Sequence, residues 1–228
     1  MKLDYASLEM VYTPLKSDVW EAQKGKEVRF WDGWLEKHAE EYNKPKPLDE
    51  HLNALVGNGA RAVADIGSGA CCLIGGDNTA ASDVLAREYM DIWRRLGIRP
   101  VIPIDLQDAT CLTYTDNSFD LVHCANTLDH SRDPRGAITE MARVCKTGGV
   151  VYLMHLIDQG RCSHYTGLHQ WNVTADGYIW RRAPAKDNER GRWSAESVVG
   201  FRITDCLPGA KVVRGDRWSR VIVTWRKP

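Results

Sequence analysis

Residues 63–72, VADIGSGACC, run from an apolar stretch into an acid and then two glycines, Gly67 and Gly69. A glycine-bearing bend after a strand lies where open parallel sheets receive ligands, outside the carboxyl ends of the strands. The chemistry is set by Asp65. A carboxylate there repels a pyrophosphate and attracts an ammonium group. The dinucleotide fingerprint needs a third glycine so that a helix can pack close, and Cys72 stands at that place. No Gly-Lys-Ser/Thr follows, which excludes the triphosphate-binding loop. A nicotinamide dehydrogenase is therefore the least suitable reading.

Other residues of chemical interest sit at comparable points. TAASD ends in Asp83, with Val84 next, and IDLQDA offers Asp108 and Ala109. CAN places Ala125 and Asn126 at another strand end. LDH and MHL put His130 and His155 just beyond or at strand ends, and CSHYTGLHQWN (162–172) holds His164, Tyr165, His169, Gln170, Trp171 and Asn172. Imidazole titrates near neutrality and is the common protein base. Structural readings stand beside these. His123 lies mid-strand, as a hydrogen-bonded core residue would. Asp129 suits a turn cap, and His169 could orient the segment through a backbone carbonyl. His130 and His155 stand evenly between catalysis and packing. Cys162, His164 and His169 lack metal-ligand spacing, so no metal is expected. Trp31, Trp34 and Trp171 suit either an acceptor pocket or the core.

The elements that must position these residues follow from periodicity. Residues 17–43 read as a helix carrying Val28, Trp31, Trp34, Leu35 and His38, stopped by KPKPL (44–48). DEHLNALV is a short helix ended by GNG (57–59). RAVADI (61–66), PVIPI (100–104), SFDLVHCAN (118–126) and GGVVYLMHL (148–156) read as strands. Residues 83–97 and 133–145 read as helices, the second with Asp133 as cap and Pro134 in its first turn. Apolar strands alternating with helices imply a parallel sheet covered on both faces. AKVVRG and SRVIVTWR end the chain as two strands joined by a turn. The stretch between Gly69 and Asp83 leaves room for a helix of one or two turns at most.

The chain has 228 residues, 43% of them apolar, enough for one large core. No apolar run approaches a membrane span. The beginning of the sequence lacks a signal-peptide pattern. Seven cysteines without framework spacing point to reduced thiols in the cytoplasm. Net charge is zero. Residues 1–60 carry 8 Lys/Arg against 11 Asp/Glu, and residues 181–228 carry 12 against 5. The basic residues are scattered, as on a solvated surface, so nucleic acid is not the expected partner.

Taken together, ADIGSGA (64–70), SD (82–83), DAT..L...DNSFDLVHCANTLDH (108–130) and EMARVCKTGGVVYL (140–153) resemble the class I S-adenosylmethionine-dependent methyltransferases of the type-11 domain group. Thr147 replaces the proline usual before the Gly-Gly pair. The resemblance implies an α/β, Rossmann-like, doubly wound seven-stranded sheet, mostly parallel with an antiparallel C-terminal strand. It implies S-adenosylmethionine as cofactor and S-adenosylhomocysteine as product. Asp65, Gly67 and Gly69 would line the methionine end and Asp83, beside Val84, the ribose. Asp108 and Ala109 would border the adenine, with Ala125 and Asn126 near the sulfonium.

The expectation is a single domain: helical lid 1–60, core 61–157, cap 158–195, and strands 196–228 completing the sheet. His130, His155 and His169 are the candidate bases. Tyr165, Gln170, Trp171 and Asn172 are the candidate acceptor contacts. The acceptor is expected to be a hydroxyl or amine on a small molecule or sugar. A non-catalytic cofactor-binding partner and a nucleic-acid methyltransferase are the rival readings. Oligomeric state is not legible.

Overall fold

The computed structural model describes residues 12, 14–42, 44, 46–57, 62–182, 198–215 and 219–228. Residues 58–59 of the expected helix stop and 183–195 of the expected cap lie outside them. The Trp-rich stripe at the start forms α1 (Ser17–Tyr42), with Leu35 fully buried. Asp49 accepts the N–H groups of His51 and Leu52 and so caps α2 (Glu50–Val56), which Gly57 ends.

β1 (Val63–Ile66) follows. No helix forms between it and β2 (Thr79–Asp83), which corrects the expected short helix. Gly67, Gly69, Gly75 and Gly76 all take positive φ in this stretch, a conformation that breaks helical continuity. Residues 67–78 are nonetheless long enough for a parallel crossover. α3 (Ala86–Leu96) ends at Gly97 in the left-handed conformation. β3 (Ile104–Leu106) starts at the last residue of the expected strand 100–104, because Pro100 and Pro103 have no N–H for the ladder. β4 (Phe119–Ala125), α4 (Pro134–Val144) and β5 (Cys145–Leu156) follow, with Asp133 capping α4 through the Gly136 N–H.

The remaining elements are α5 (Gln159–Cys162), β6 (Asn172–Val173), β7 (Tyr178–Arg182), β8 (Val198–Arg202), α6 (Ile203–Cys206), β9 (Lys211–Arg214) and β10 (Arg220–Arg226). The main sheet has seven strands in the order β3-β2-β1-β4-β5-β10-β9. It is parallel except that β10 runs antiparallel to β5 and β9. Within residues 196–228, β9 and β10 complete this sheet and β8 does not. It pairs with β7, which pairs with β6, in a separate three-stranded antiparallel sheet. No described helix is long and apolar enough to cross a membrane.

Alternation along each strand puts different chemistry on the two faces. Ala64, Ile66, Val122, Cys124, Val151 and Leu153 pack with α4 in one core. Val63, Leu121, Val150 and Tyr152 pack with α2 residue Leu52 on the other face. Asp65 and His123 are register partners. α1 lies on α3, joining Leu35 to Tyr89 and Ile92 in a third cluster.

Candidate active site

The carboxyl ends of β1, β2 and β4 meet at one edge. There Gly67 and Gly69 hold φ of +69° and +68°. A Cβ on Gly67 would lie 2.1 Å from Thr127 Cγ2, and one on Gly69 2.1 Å from Trp31 Cζ2. Both glycines are thus required by conformation and by close approach. Thr127 locks the loop, its hydroxyl donating to Gly67 O (2.8 Å). Trp31 brings α1 directly over Gly69.

Asp65 is buried and accepts Nδ1–H of His123 at 2.7 Å. The His123 ring in turn stacks on Tyr152. His123 is therefore the hydrogen-bonded core residue expected, and it fixes the carboxylate at the strand end. Asp83 accepts Gly69 N–H (2.9 Å) and Leu85 N–H (2.8 Å), tying the end of β2 to the glycine loop. Its surface is half-buried, but protein surrounds the carboxylate closely. Desolvation pushes its pKa up to about 6, against the two N–H donors. Because the folded value is raised, protonated Asp83 favours the fold at low pH, and that contribution is lost as pH rises through about 6. A cofactor contact runs the other way, since only the ionised acid accepts two ribose hydroxyls. Affinity for S-adenosylhomocysteine is expected to fall as pH drops below about 6, as calorimetry at stepped pH would show.

The other expected cofactor residues are placed as follows. Val84 turns the chain from β2 into α3 and is half-buried. Asp108 is occupied by Thr110, accepting its N–H (2.8 Å) and hydroxyl (2.7 Å), while Arg132 stands 3.7 Å away. Ala109 packs on the core. Ala125 O lies 3.0 Å from the Thr127 hydroxyl and shares its one proton with Gly67 O. Asn126, at φ +50°, accepts Leu156 N–H and so joins the ends of β4 and β5.

The histidines divide. His155 is 1% exposed, and neither ring nitrogen finds a hydrogen-bond partner among the described residues. Burial pushes its pKa down to about 4, so it stays neutral and out of an acceptor's reach in this conformation. His130 and His169 come together instead. Nδ1–H of His169 donates to Asp129 Oδ2 at 2.7 Å, and His130 Nε2 lies 2.8 Å from the same Nδ1. Burial opposes the charged form of each group. The pairing prevails, holding the Asp129 carboxyl below its ordinary range and the His169 imidazole above its own. Asp129, half of this dyad, had suited a turn cap in the sequence.

The cap supplies His169, and of the four expected acceptor contacts Trp171 and Asn172 are fully buried while Tyr165 and Gln170 are half-buried. Trp171 is fully buried, donating Nε1–H to Ser131 O and stacking on Tyr12. Asn172 is also fully buried, accepting Arg161 N–H and donating to Tyr165 Oη. Gln170 donates to the carbonyls of Tyr165 and Gly167. These are clasps of the cap. Tyr165 and exposed His164 hold left-handed backbone within it.

Glu27 escaped the sequence reading. From α1 it brings Oε2 to 3.9 Å from His130 Nδ1. Its signal was an acid four residues before Trp31, on the same helical face.

A family model described as a methyltransferase domain, of the type-11 group, matches residues 57–153. The matched stretch takes in the glycine loop, Asp65, Asp83 and Asp129. The sequence resemblance implies S-adenosylmethionine, whose ammonium and ribose groups the Asp65 and Asp83 carboxylates would suit. Thr127 and Trp31 pack against the two glycines where a Cβ would stand, and the Asp65 and Asp83 carboxylates lie at the two strand ends beside the loop.

Among curated proteins, the chain is 35% identical over 150 residues to a demethylmenaquinone methyltransferase of Renibacterium salmoninarum. That match covers 62% of this chain and 60% of the relative. It is 45% identical over 51 residues to a probable methyltransferase, ltbC, of Aspergillus luteorubrus, covering 21% and 18%. The chain thus spans less than two thirds of these relatives. The solved [4+2]-cyclase SpnF is 15% identical, with TM-score 0.50 over 96% of this chain and 98% of that one. This last likeness concerns the fold alone.

Proposed function

We propose that the protein transfers a methyl group in line to a hydroxyl or amine of a small molecule or sugar, with His169 as general base. The observation that carries this reading is the Asp129–His169 hydrogen bond of 2.7 Å beside the glycine loop. Asp129 is buried and fixes the imidazole with Nδ1 protonated. This leaves Nε2, on a ring 29% exposed, to take an acceptor's proton. The cofactor supplies an activated methyl group when bound. Asp65, Asp83 and the glycine loop hold it, and α1 with the cap excludes water. Alignment contributes ~7–11 kcal/mol. The Renibacterium relative acts, by its name, on demethylmenaquinone, so phenols and quinols belong beside sugars and amines among the acceptors tried.

The test is a release assay for S-adenosylhomocysteine over such a panel with the whole chain. Acceptor-dependent release that is lost in His169→Gln supports the reading. No release with any acceptor, despite cofactor binding, favours the non-catalytic rival. Release dependent on RNA or DNA favours the nucleic-acid rival.

A further inference from the structure

We propose that Asp129, His130 and His169 form a binding site for a borderline first-row divalent cation such as Zn²⁺, with its open face toward the acceptor. Asp129 Oδ2, His130 Nε2 and His169 Nδ1 converge from the β4 loop and the cap, at 2.7, 2.8 and 3.4 Å from one another. One N–H on His169 Nδ1 cannot serve both neighbours. They subtend well under a right angle at that nitrogen, whereas a hydrogen bond needs near-linearity with each. Three such atoms are too close for hydrogen bonding alone to satisfy them all. A cation resolves the crowding. Ligand atoms ~2.1 Å from an ion stand ~3 Å apart at right angles and ~3.4 Å apart at tetrahedral angles; the separations here, 2.7, 2.8 and 3.4 Å, need shift by only a few tenths of an ångström to meet one or the other.

The surroundings match. Two imidazoles and one carboxylate suit Zn²⁺, Co²⁺ or Fe²⁺ over Mg²⁺ or Ca²⁺. Glu27 faces the far nitrogen of His130, Nδ1, at 3.9 Å. That distance is too long for a hydrogen bond, but a carboxylate there favours by charge a proton on Nδ1, which turns the other nitrogen's lone pair to the metal. The carboxylate ligand is buried, with its backbone carbonyl accepting the N–H groups of Gln170 and Trp171, so its position is fixed. The two histidine side chains are 17% and 29% exposed, which leaves one side open to solvent. Three protein ligands plus an open position is the pattern of catalytic rather than structural sites.

Binding of the ion stands on this geometry alone. Its use rests on the methyltransfer reading. Proton-filled, the cluster is a base. Cation-filled, it grips the acceptor's oxygen and makes the hydroxyl more acidic. Cysteine ligation is the competing explanation for any bound metal, and the seven free thiols make it testable.

The experiment titrates CoCl₂ into the whole, chelator-stripped, reduced protein, read by visible absorption, with Zn²⁺ and Mg²⁺ as competitors. We expect one equivalent to bind with d–d bands of a nitrogen and oxygen site. Zn²⁺ displaces it and Mg²⁺ does not. Glu27→Gln is expected to weaken binding ~10-fold or more while the ligand set stays intact. His169→Gln and Asp129→Asn, checked for folding by circular dichroism, are expected to lose the band. No saturable band in the wild type overturns the site, as does a near-ultraviolet thiolate band or a band unchanged in His169→Gln. A parallel titration with S-adenosylhomocysteine separates the two ideas. Cobalt binding without it leaves the site standing and removes the methyltransfer reading. The reverse removes only the site.

Discussion

His169→Gln is expected to lower turnover by ~10²–10⁴-fold, the range a positioned base contributes, and to leave affinity for S-adenosylhomocysteine unchanged. Glutamine can still donate to Asp129 and fill part of the ring's volume. It has no nitrogen that takes a proton near neutral pH. The measurement is kcat, with an acceptor from the panel, beside calorimetric binding of the product. Asp129→Asn tests the same arrangement from the other side. An asparagine amide can present N–H to Nδ1, which selects the wrong tautomer and blocks Nε2. The corresponding change in a Ser-His-Asp triad costs ~10⁴-fold.

The pH profile carries a sign. The His169 pKa is raised from 6.5 by Asp129, although burial works against this. Activity should therefore fall on the acid side at a pH above the ordinary imidazole value. In Asp129→Asn the inflection should move down. Stability follows the opposite course. The charged pair's contribution through His169 is complete below 6.5 and is lost as pH rises through the raised value. Through Asp129, whose pKa is lowered, it is present above 3.8 and lost as pH falls through the folded value. Thermal melts of His169→Gln against wild type should differ most in mildly acidic buffer and least in alkaline buffer.

Trp171→Ala is expected to destabilise the fold by ~3–5 kcal/mol, the cost of removing a fully buried aromatic. In a chain this size that lowers the melting temperature by roughly 10 °C. Its ring is 0% exposed, stacks on Tyr12 with centroids 5.7 Å apart, and lies under the Arg181 guanidinium at 5.0 Å. Trp171→Phe keeps much of the packing and loses the bond to Ser131 O, for about 1 kcal/mol. An acceptor-lining tryptophan would behave differently, raising KM with little change in melting temperature. The two variants distinguish these roles.

The sheet was legible because its strands carry their own signal. β1, β4 and β5 are apolar on both faces, and α4 announces itself by Asp133 and Pro134. The glycine loop and its acids were legible because φ and charge are local properties. The missing helix after Gly69 was harder to foresee, since that connection carries four positive-φ glycines packed against Trp31, Thr127, Thr79 and residues 46–48, all distant in sequence or outside the loop. Trp171, Asn172 and Gln170 looked like a polar, aromatic ligand surface. Sequence spacing does not tell which way a cap segment faces, and these side chains turn inward to close it. The Asp129–His169 pair joins residues 40 apart. Only the docking of the cap's N–H groups on the carbonyls of Asp129 and Ser131 brings them together, so no local pattern foretold it.

The most direct test of the account is a calorimetric titration of the whole chain with S-adenosylhomocysteine, with NAD as the comparison. A single saturable site for S-adenosylhomocysteine is expected. NAD is expected to give no heat, and Asp83→Asn to weaken affinity ~10–100-fold through loss of a charge-assisted hydrogen bond. Binding of NAD, or equal affinity in Asp83→Asn, would contradict the placement of an ammonium-bearing, phosphate-free cofactor at the ends of β1 and β2.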